Sequence, residues 1–402
     1  MAYNRKQRLN DNIKAIETAF ILDREQRTPT ARERLLLERY CGFGGLKCIL
    51  NPARELADAV HWAKSDLELF APTVELHRLI RENSKNESEY KQLMDSLKQS
   101  VLTAFYTPSA VTEALTDVLK EHQIIPEKVL EPSAGIGAFV DSVLDNNPKA
   151  DIMAFEKDLL TGKILRHLHP EQKVRIEGFE KIEKPFNDYF DLAISNIPFG
   201  DVAVFDPSYT AMKGMRALVT RRIHNYFFVK ALDTVRDGGL VAFITSQGVL
   251  NAKNNSATRF MMLYHADLVS AIRLPNNLFT ENANTEVGSD LIILQKNSQK
   301  ESLRGDDNLL DTVYNDENRI PTNNYFLEHP ERIIHTTAKL DTDPFGKPAM
   351  IYTHEDGVEG IAEDLRKMLH EDFKKNLNLN RYLGIEETMA EEVKEVEETE
   401  KI

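Results

Sequence analysis

Short apolar, β-branched runs alternate with helical stretches through the middle of the chain, between about residues 100 and 297. The runs are Lys128–Glu131, Asp151–Glu156, Val174–Glu177, Asp191–Asn196, Gly239–Ser246, Leu268–Leu274 and Asp290–Gln295. Helical candidates lie between the early runs, at Ser109–Glu121 and Phe139–Asp145. This alternation predicts an α/β fold with a mostly parallel sheet covered by helices on both faces. The last two runs are joined by a segment with little helical signal, so we expect the final strand to be antiparallel.

The flanking regions have different patterns. Apolar residues recur at helical spacing in Asn12–Leu22 and Arg32–Tyr40, which predicts a helical N-terminal region over residues 1–98. Within it, the glycine loop Tyr40–Leu46 breaks the helical pattern, and the polar segment Asn83–Ser100 indicates a solvated helix or linker.

A C-terminal extension is predicted for residues 298–402, which leaves residues 99–297 as the central α/β domain. Its beginning, Glu301–Asn324, is polar and rich in turn residues. Helices are expected at Thr353–Met368 and Glu371–Leu383, and the acidic tail is expected to be disordered or a solvated helix.

Composition places the chain among soluble globular proteins, with 42% hydrophobic and 28% charged residues. Its two cysteines indicate neither a disulfide framework nor a zinc site, so we expect a cytoplasmic protein with no metal. We expect no signal peptide, because the residues after Met1 lack an apolar core, and no run of about 18 apolar residues indicates a membrane span. The net charge is −14, and any contact with nucleic acid must therefore come from a local basic patch or from a partner.

The first candidate for chemistry is a tight turn of small residues directly after a strand. It runs Glu131-Pro-Ser-Ala-Gly-Ile-Gly-Ala-Phe139, and Glu156 follows at the end of the next strand. Glycine allows close backbone approach to a ligand, and an acid at that position can accept hydrogen bonds from both ribose hydroxyls. A structural turn and an ordinary solvated acid are the alternatives. Val140 stands where a third glycine would indicate a nicotinamide cofactor.

The second candidate is a buried strand that ends in Asn196-Ile197-Pro198-Phe199. The lone pair of an exocyclic amine is delocalised into its ring, so the amine is a poor nucleophile. The amide oxygen of Asn196 and the carbonyl of Ile197 can accept its hydrogens and localise the lone pair. Pro198 restricts the residue before it, and Phe199 offers a flat face for an extruded base. The alternative is a strand followed by a proline turn.

These motifs resemble the N6-adenine type of amino-methyltransferases that act on DNA, whose signature is Asn/Asp-Pro-Pro-Tyr/Phe. The resemblance spans about residues 100–297 and implies a class I S-adenosylmethionine-dependent methyltransferase, Rossmann-like, with base flipping. It implies that Asn196, Ile197, Pro198 and Phe199 are catalytic. The residues that it assigns to the cofactor S-adenosyl-L-methionine are Tyr106, Thr107, Pro108, Glu131, Ser133, Ala134, Gly135, Gly137, Glu156 and Phe179.

Two positions depart from the family pattern. Isoleucine at position 197 replaces the first proline of the signature, and Gly178 stands where an acid often contacts the adenine of the cofactor. Glu180 or a backbone group is expected to substitute for that acid.

The chain resembles one group of proteins more closely, the methylase portion of methylase–helicase fusion proteins from mobile elements. The segments that carry this resemblance are Tyr40–Leu46 and Ser195–Gly200. Ile272–Pro275 and Leu291–Lys296 resemble the closing strands of type I modification subunits, which act in restriction-modification. The resemblance implies that a helicase or a specificity subunit would be a separate polypeptide.

DNA contact is expected from a stretch that follows the catalytic motif, Pro207–Leu232, which contains no Asp or Glu. Its basic residues can neutralise phosphates beside a flipped base, although a solvated charged loop has the same composition. They are Lys213, Arg216, Arg221, Arg222 and Lys230.

Two other functions remain open at this point. Methylation of a glutamine side chain in a protein uses a similar loop, because the target is also an amide nitrogen. A methylase-like module that binds DNA but has lost turnover is the second, since Ile197 and Gly178 both depart from the family pattern.

Overall fold

A seven-stranded sheet with the strand order β3-β2-β1-β4-β5-β7-β6 forms the centre of the molecule. The computed structural model describes residues 4–103, 106–212, 214–280, 286–303, 307–314, 320–343 and 346–385. The strands of the main sheet are β1 (Lys128–Glu131), β2 (Asp151–Phe155), β3 (Lys173–Arg175), β4 (Phe190–Asn196), β5 (Val235–Ser246), β6 (Ala266–Leu274) and β7 (Ser289–Lys296). Two short antiparallel pairs follow, β8 (Thr312–Tyr314) with β9 (Pro321–Asn323) and β10 (Thr337–Thr342) with β11 (Pro348–Thr353).

The pairing within the sheet matches the class I methyltransferase fold expected from the sequence. Within the run β3-β2-β1-β4-β5 of the sheet, every adjacent pair of strands is parallel. Strand β7 pairs antiparallel with both β5 and β6, so the prediction of a final antiparallel strand is confirmed. Strand β3 lies slightly earlier in the chain than predicted, and β5 begins at Val235 rather than Gly239.

Helices cover both faces of the sheet and build the N-terminal region. They are α1 (Arg5–Glu25), α2 (Ala31–Leu37), α3 (Phe70–Glu82), α4 (Glu87–Thr103), α5 (Ser109–Glu121), α6 (Ala138–Asn146), α7 (Leu159–Leu168), α8 (Pro207–Thr210), α9 (Met215–Val219), α10 (Ile223–Thr234), α11 (Gly248–Asn251), α12 (Ser256–His265), α13 (Asn324–Glu328), α14 (Gly357–Asn376) and α15 (Leu379–Leu383). Among the described residues, none of these helices is long and apolar enough to cross a lipid bilayer.

Two apolar cores lie on opposite faces of the sheet, because successive residues of a strand point to opposite sides. On β4, Leu192 and Ile194 join the core beneath α5, α6 and α14, whereas Ala193 joins the core beneath α10 and α12. A sheet buried on both faces has strands that are apolar without alternation, and this is the pattern that made the strands visible in the sequence.

A third core joins the N-terminal region to helix α7. Leu93, Leu97 and Val101 of α4 are buried in it together with Leu160 and Ile164 of α7. The expectation that Asn83–Ser100 is a solvated helix or linker was therefore wrong. The helix is polar on one side only, and its widely spaced apolar residues pack at helical intervals.

The C-terminal extension differs from its prediction in two ways. Two helices are present as expected, but the break between them lies at residues 377–378, because α14 ends at Asn376 and α15 spans Leu379–Leu383; the hairpin β10–β11 precedes them. Leu365, Leu369 and Phe373 pack α14 against the main sheet, so this helix is part of the central core. The acidic tail lies outside the described residues, and the boundaries at residues 98 and 297 stay predictions.

Candidate functional site

The sequence motifs meet at the carboxyl edge of the parallel strands, where ligands bind in α/β folds of this kind. Strands β1, β2 and β4 are adjacent, and Leu130 pairs with both Met153 and Ala193. The Ser195 hydroxyl lies 3.5 Å from the Ser133 carbonyl oxygen. The glycine turn after β1, Glu156 after β2 and Asn196 at the end of β4 therefore lie side by side.

The turn after β1 is held by backbone hydrogen bonds and by two glycines with positive φ. The Ala134 amide donates to the Phe155 carbonyl at 2.8 Å, which fixes the turn to the end of β2. Gly135 has φ of +56°, and a Cβ built there would lie 2.8 Å from the Tyr106 ring. Gly137, at +96°, begins α6, and a Cβ there would collide with the ring of His169. Both positions therefore require glycine.

Glu156 is half-buried and holds the turn by hydrogen bonds to two backbone amides. Its Oε2 accepts from the Gly135 amide at 2.8 Å and its Oε1 from the Asp158 amide at 2.7 Å. Burial, together with the nearby Asp158 carboxylate, raises the pKa of Glu156 to about 8. Each carboxylate oxygen has a second lone pair, so the group can still accept hydrogen bonds from ribose hydroxyls.

Among the buried polar atoms that lack a hydrogen-bond partner within the described part of the chain, two belong to predicted cofactor residues. They are Oε2 of Glu131, whose residue is 2% exposed, and Oγ1 of Thr107, whose residue is 6% exposed. Burial raises the pKa of Glu131 to about 8. Unsatisfied buried polar atoms are rare in folded proteins, and a polar ligand is one of the groups that satisfies them. With the glycine turn and Glu156, these atoms fit a nucleoside cofactor that carries a polar tail.

The Asn196 motif continues the edge of the sheet and leaves three of its four residues partly exposed. Asn196, Pro198 and Phe199 are partly exposed, whereas Ile197 is buried in the core beneath α10. The Ile197 amide donates to the Ile244 carbonyl at 3.0 Å and so extends the pairing of β4 with β5. Phe199 lies edge-on to Phe279, with 6.3 Å between the ring centroids, which fixes its ring on one side.

The remaining predicted cofactor residues divide into those at the site and one that lies away from it. Tyr106 packs on Gly135, Pro108 caps α5, and Ser133 and Ala134 belong to the turn itself. Phe179, in contrast, is 1% exposed and packs among aromatic rings, at 5.3 Å from Phe227. The expectation that Phe179 stacks on the cofactor adenine is therefore corrected, because its ring has no accessible face.

Gly178 lies beneath the carboxylate of Glu180. A Cβ built on Gly178 would lie 2.1 Å from the Glu180 Oε2. The carboxylate of Glu180 thus occupies the space that a side chain at position 178 would take. This placement supports Glu180 as the substitute for the acid that position 178 lacks.

Basic residues of the stretch Pro207–Leu232 form ion pairs with acids that lie just outside it in the sequence. Lys230 is 7% exposed, with its ammonium 3.5 Å from Asp206, and Arg216 bonds Asp233 at 2.9 Å. These two acids stand immediately before and after Pro207–Leu232. We therefore withdraw Lys230 from the predicted DNA contacts, because its charge is buried and compensated.

Arg221 and Arg222 are adjacent in the chain but have different environments. Arg222 is partly buried and bonds Asp201 at 2.8 Å and Asn254 at 2.6 Å. Arg221 is exposed, and Lys213 lies outside the described residues. Among the described residues of this set, Arg221 is thus the most accessible to a phosphate.

Several residues at the site were not identified from the sequence. Asp158 caps α7 through the Thr161 amide at 2.7 Å, and its own amide bonds Glu156. Its position two residues after Glu156, before a helical stretch, is the pattern of an N-cap and was available in the sequence. The roles of Thr161 and His169 depend on contacts with distant segments, for which the sequence holds no local signal.

Comparison with known proteins gives a consistent assignment. The family described as N-6 DNA Methylase matches residues 88–390. "Defense against restriction protein B" of Escherichia phage P1 is 29% identical over 201 residues, which is 48% of this chain and 8% of that protein. "Type II methyltransferase M.XamI" of Xanthomonas campestris pv. amaranthicola is 25% identical over 173 residues, covering 40% of this chain and 33% of that protein. The matches thus span a third or less of these two relatives.

Among solved structures, the chain is similar over most of its length to the methyltransferase subunit of a type I restriction-modification system from Streptococcus thermophilus. It is 12% identical, with 93% of this chain and 94% of that chain covered, and its TM-score is 0.41. At this score the similarity does not inform function.

Proposed function

The chain belongs to the N-6 DNA methylase family, and from this premise we propose that it transfers a methyl group from S-adenosylmethionine to the N6 amino group of adenine in DNA. The observation that carries the proposal is the contact between Ser133 and Ser195, which sets the glycine turn beside Asn196. A cofactor held on the turn and an amine held by Asn196 would then share one edge of the sheet.

The amine is activated by two oxygen acceptors, the side-chain oxygen of Asn196 and the backbone carbonyl of Ile197. Both accept hydrogens from N6, which draws the nitrogen towards tetrahedral geometry and localises its lone pair. Pro198 and the hydrogen bond from the Ile197 amide to Ile244 hold this carbonyl in place. Positioning therefore provides most of the rate enhancement, and no strong general base is needed.

The cofactor site is formed by the turn and by the carboxylates around it. Glu156 would accept hydrogen bonds from the ribose hydroxyls of the cofactor. Glu131 and Thr107 offer buried polar atoms for hydrogen bonds with the rest of the cofactor. When bound, S-adenosylmethionine supplies an electrophilic methyl group on its sulfonium. Glu180, which covers Gly178, is placed to accept a hydrogen bond from the adenine amine of the cofactor.

The target adenine must leave the helix stack to reach this edge. Phe199 is partly exposed and supported edge-on by Phe279, so it offers a fixed aromatic face to an extruded base. Base stacking on an aromatic side chain is worth about 1–3 kcal/mol, which offsets part of the cost of unstacking.

We propose partners for the chain on the same grounds as its function. DNA is the substrate, and a separate helicase or specificity subunit would supply the contacts that an acidic chain lacks. The phage origin of one relative, whose name refers to defence against restriction, supports a role in a mobile element.

A methyl-transfer assay with tritiated cofactor tests the function directly. We expect label in DNA and none in added protein, and we expect Asn196→Ala to lower the transfer rate by at least about 100-fold. Calorimetry should show cofactor affinity in Asn196→Ala within about 2-fold of the unaltered chain, because Asn196 acts on the amine.

Each open alternative predicts a different result. Label in protein rather than DNA would favour methylation of a glutamine side chain. A chain that binds DNA but takes up no cofactor in the calorimeter would identify the inactive module. Label in DNA that survives Asn196→Ala at full rate would contradict the proposed site.

A further inference from the structure

Tyr40 of the N-terminal region lies against the cofactor edge of the central domain. It begins the glycine loop Tyr40–Leu46 and is 1% exposed. Its hydroxyl is 3.2 Å from the hydroxyl of Thr161, in the first turn of α7. A residue far from the glycine turn in sequence is therefore joined by a hydrogen bond to the helix that follows Glu156.

Thr161 connects Tyr40 with a predicted cofactor residue. Thr161 also lies against the phenol of Tyr106, whose ring packs on Gly135. Two tyrosines thus meet at Thr161: the buried Tyr40 from the N-terminal region and the partly exposed Tyr106 from the cofactor site. Their ring positions depend on each other because a single residue contacts both.

A second connection runs from the N-terminal region to the predicted ribose-binding acid. The Ser96 hydroxyl of α4 donates to Asp158 at 2.7 Å and accepts from the Leu160 amide at 3.0 Å. Asp158 in turn donates its amide to Glu156 at 2.7 Å. Ser96 therefore fixes the residue that orients one oxygen of the Glu156 carboxylate.

The loop that carries Tyr40 is itself held rigidly. The side chain of Asn12 donates to the Gly42 carbonyl at 2.6 Å and accepts from the Cys41 amide at 2.9 Å. The Phe43 amide bonds the Ser100 hydroxyl at 3.2 Å. These hydrogen bonds hold the loop in one conformation and so fix the position of the Tyr40 hydroxyl.

We propose that Tyr40 is a positioning residue of the cofactor site, and that the N-terminal region is a built part of this site. Tyr40 acts through Thr161 on Tyr106, which closes the turn at Gly135. This inference rests on the proposed function, because it assigns Tyr40 to the site that binds S-adenosylmethionine.

Calorimetry with S-adenosylmethionine and S-adenosylhomocysteine tests the proposal on the full chain. Tyr40→Phe removes only the hydroxyl, and we expect cofactor affinity to fall by about 3- to 10-fold, as for loss of one hydrogen bond. Tyr90→Phe is the control, since Tyr90 belongs to the same region and packs on Arg81. In steady-state kinetics, KM for the cofactor should rise, while kcat at saturating cofactor and KM for DNA stay unchanged.

A double-mutant cycle separates positioning from general stability. If Tyr40 acts through Thr161 on Tyr106, the double variant Tyr40→Phe, Tyr106→Phe should bind the cofactor no more weakly than Tyr106→Phe alone. Ser96→Ala, which acts through Asp158, is a second variant expected to weaken binding. Thermal unfolding of every variant shows whether the affinities refer to folded protein.

The outcomes are distinct. Unchanged affinity in folded Tyr40→Phe and Ser96→Ala, or additive losses in the cycle, would overturn the role of Tyr40 and leave the proposed function intact. A chain that binds neither ligand before any substitution would overturn the proposed function, and this inference with it.

Discussion

Residue 197 shows how one side chain can depart from a family signature and still serve the same chemistry. In the signature this position is proline, which stiffens the turn but has no amide hydrogen. Here the Ile197 amide donates to the Ile244 carbonyl, and the isoleucine side chain is buried in the core. The carbonyl that would bind the amine is therefore held by strand pairing and packing instead of by a ring.

We predict that restoring the signature with Ile197→Pro lowers both stability and activity. The substitution removes the donor for the Ile244 carbonyl, and an unsatisfied buried carbonyl costs about 1–3 kcal/mol. Urea unfolding would measure the loss, and Ile197→Val, which keeps the amide, is the matched control. A proline variant that is as stable as Ile197→Val would show that the hydrogen bond is not needed.

The raised pKa of Glu131 predicts that the stability of the chain depends on pH. Its pKa is about 8 in the folded chain against 4.5 for an unperturbed glutamate. Between these values the unfolded chain releases a proton that the folded chain keeps, so the free energy of unfolding falls as pH rises from about 4.5 to about 8. Below this range both states are protonated, and above it the loss is complete.

Glu131→Gln should therefore show a smaller fall in stability from pH 5 to pH 8 than the unaltered chain. Part of the fall remains, because Glu156 titrates in the same range. Thermal unfolding across pH measures the difference, with the exposed Glu171→Gln as control. Parallel pH profiles for all three proteins would contradict the raised pKa of Glu131.

At the scale of elements, the turn between β1 and α6 determines the shape of the site. Its glycines are required for two separate reasons, the positive φ and the close approach of another side chain. At Gly135 the neighbour is Tyr106, and at Gly137 it is His169. The turn is thus fitted to side chains from two other elements, in addition to any ligand.

A comparison of Gly135→Ala with Gly384→Ala distinguishes backbone strain at positive φ from collision with a neighbouring side chain. Gly384 has φ of +68° with nothing within 4 Å of a built Cβ, so its substitution adds backbone strain alone, of about 1 kcal/mol. Gly135→Ala adds the same strain and displaces Tyr106, so we expect a larger loss of stability and cofactor affinity weaker by at least about 10-fold. Equal stability losses in the two variants, measured by urea unfolding, would show that Tyr106 moves aside without cost.

At the scale of the whole molecule, charge and domain packing act together. Under the proposed function, a chain with a net charge of −14 contacts DNA through local cations, and the structure pairs three of the four described basic residues of Pro207–Leu232 with acids. The N-terminal region packs on α7 beside the site, whereas the exposed Arg221 lies in the turn between α9 and α10. DNA affinity should therefore be modest and depend on a small number of contacts.

Arg221→Ala should weaken DNA binding several-fold and reduce the salt dependence by about one phosphate contact. Lys230→Met should instead lower stability, because it leaves the buried Asp206 carboxylate without its cation. Fluorescence anisotropy at several salt concentrations measures the first effect and thermal unfolding the second. A salt slope unchanged in Arg221→Ala would remove this residue from the interface.

The sequence by itself determined the sheet, the order of its strands along the chain and the motifs at their ends. It did so because strands buried on both faces must be continuously apolar, and because tight turns at their ends require glycine and proline. Glu131, Gly135, Glu156 and Asn196 were identified in this way, since each stands at the end of a strand.

Only the tertiary structure decided which side chains face the site. Phe179 was assigned to the cofactor from its position after β3, but ring packing with Phe227 buries it. Lys230 was assigned to DNA from local composition, but Asp206 compensates its charge. The contact of Tyr40 with Thr161 joins segments far apart in the chain. Such outcomes depend on long-range packing and on burial, which are properties of the folded chain and leave no local pattern in the sequence.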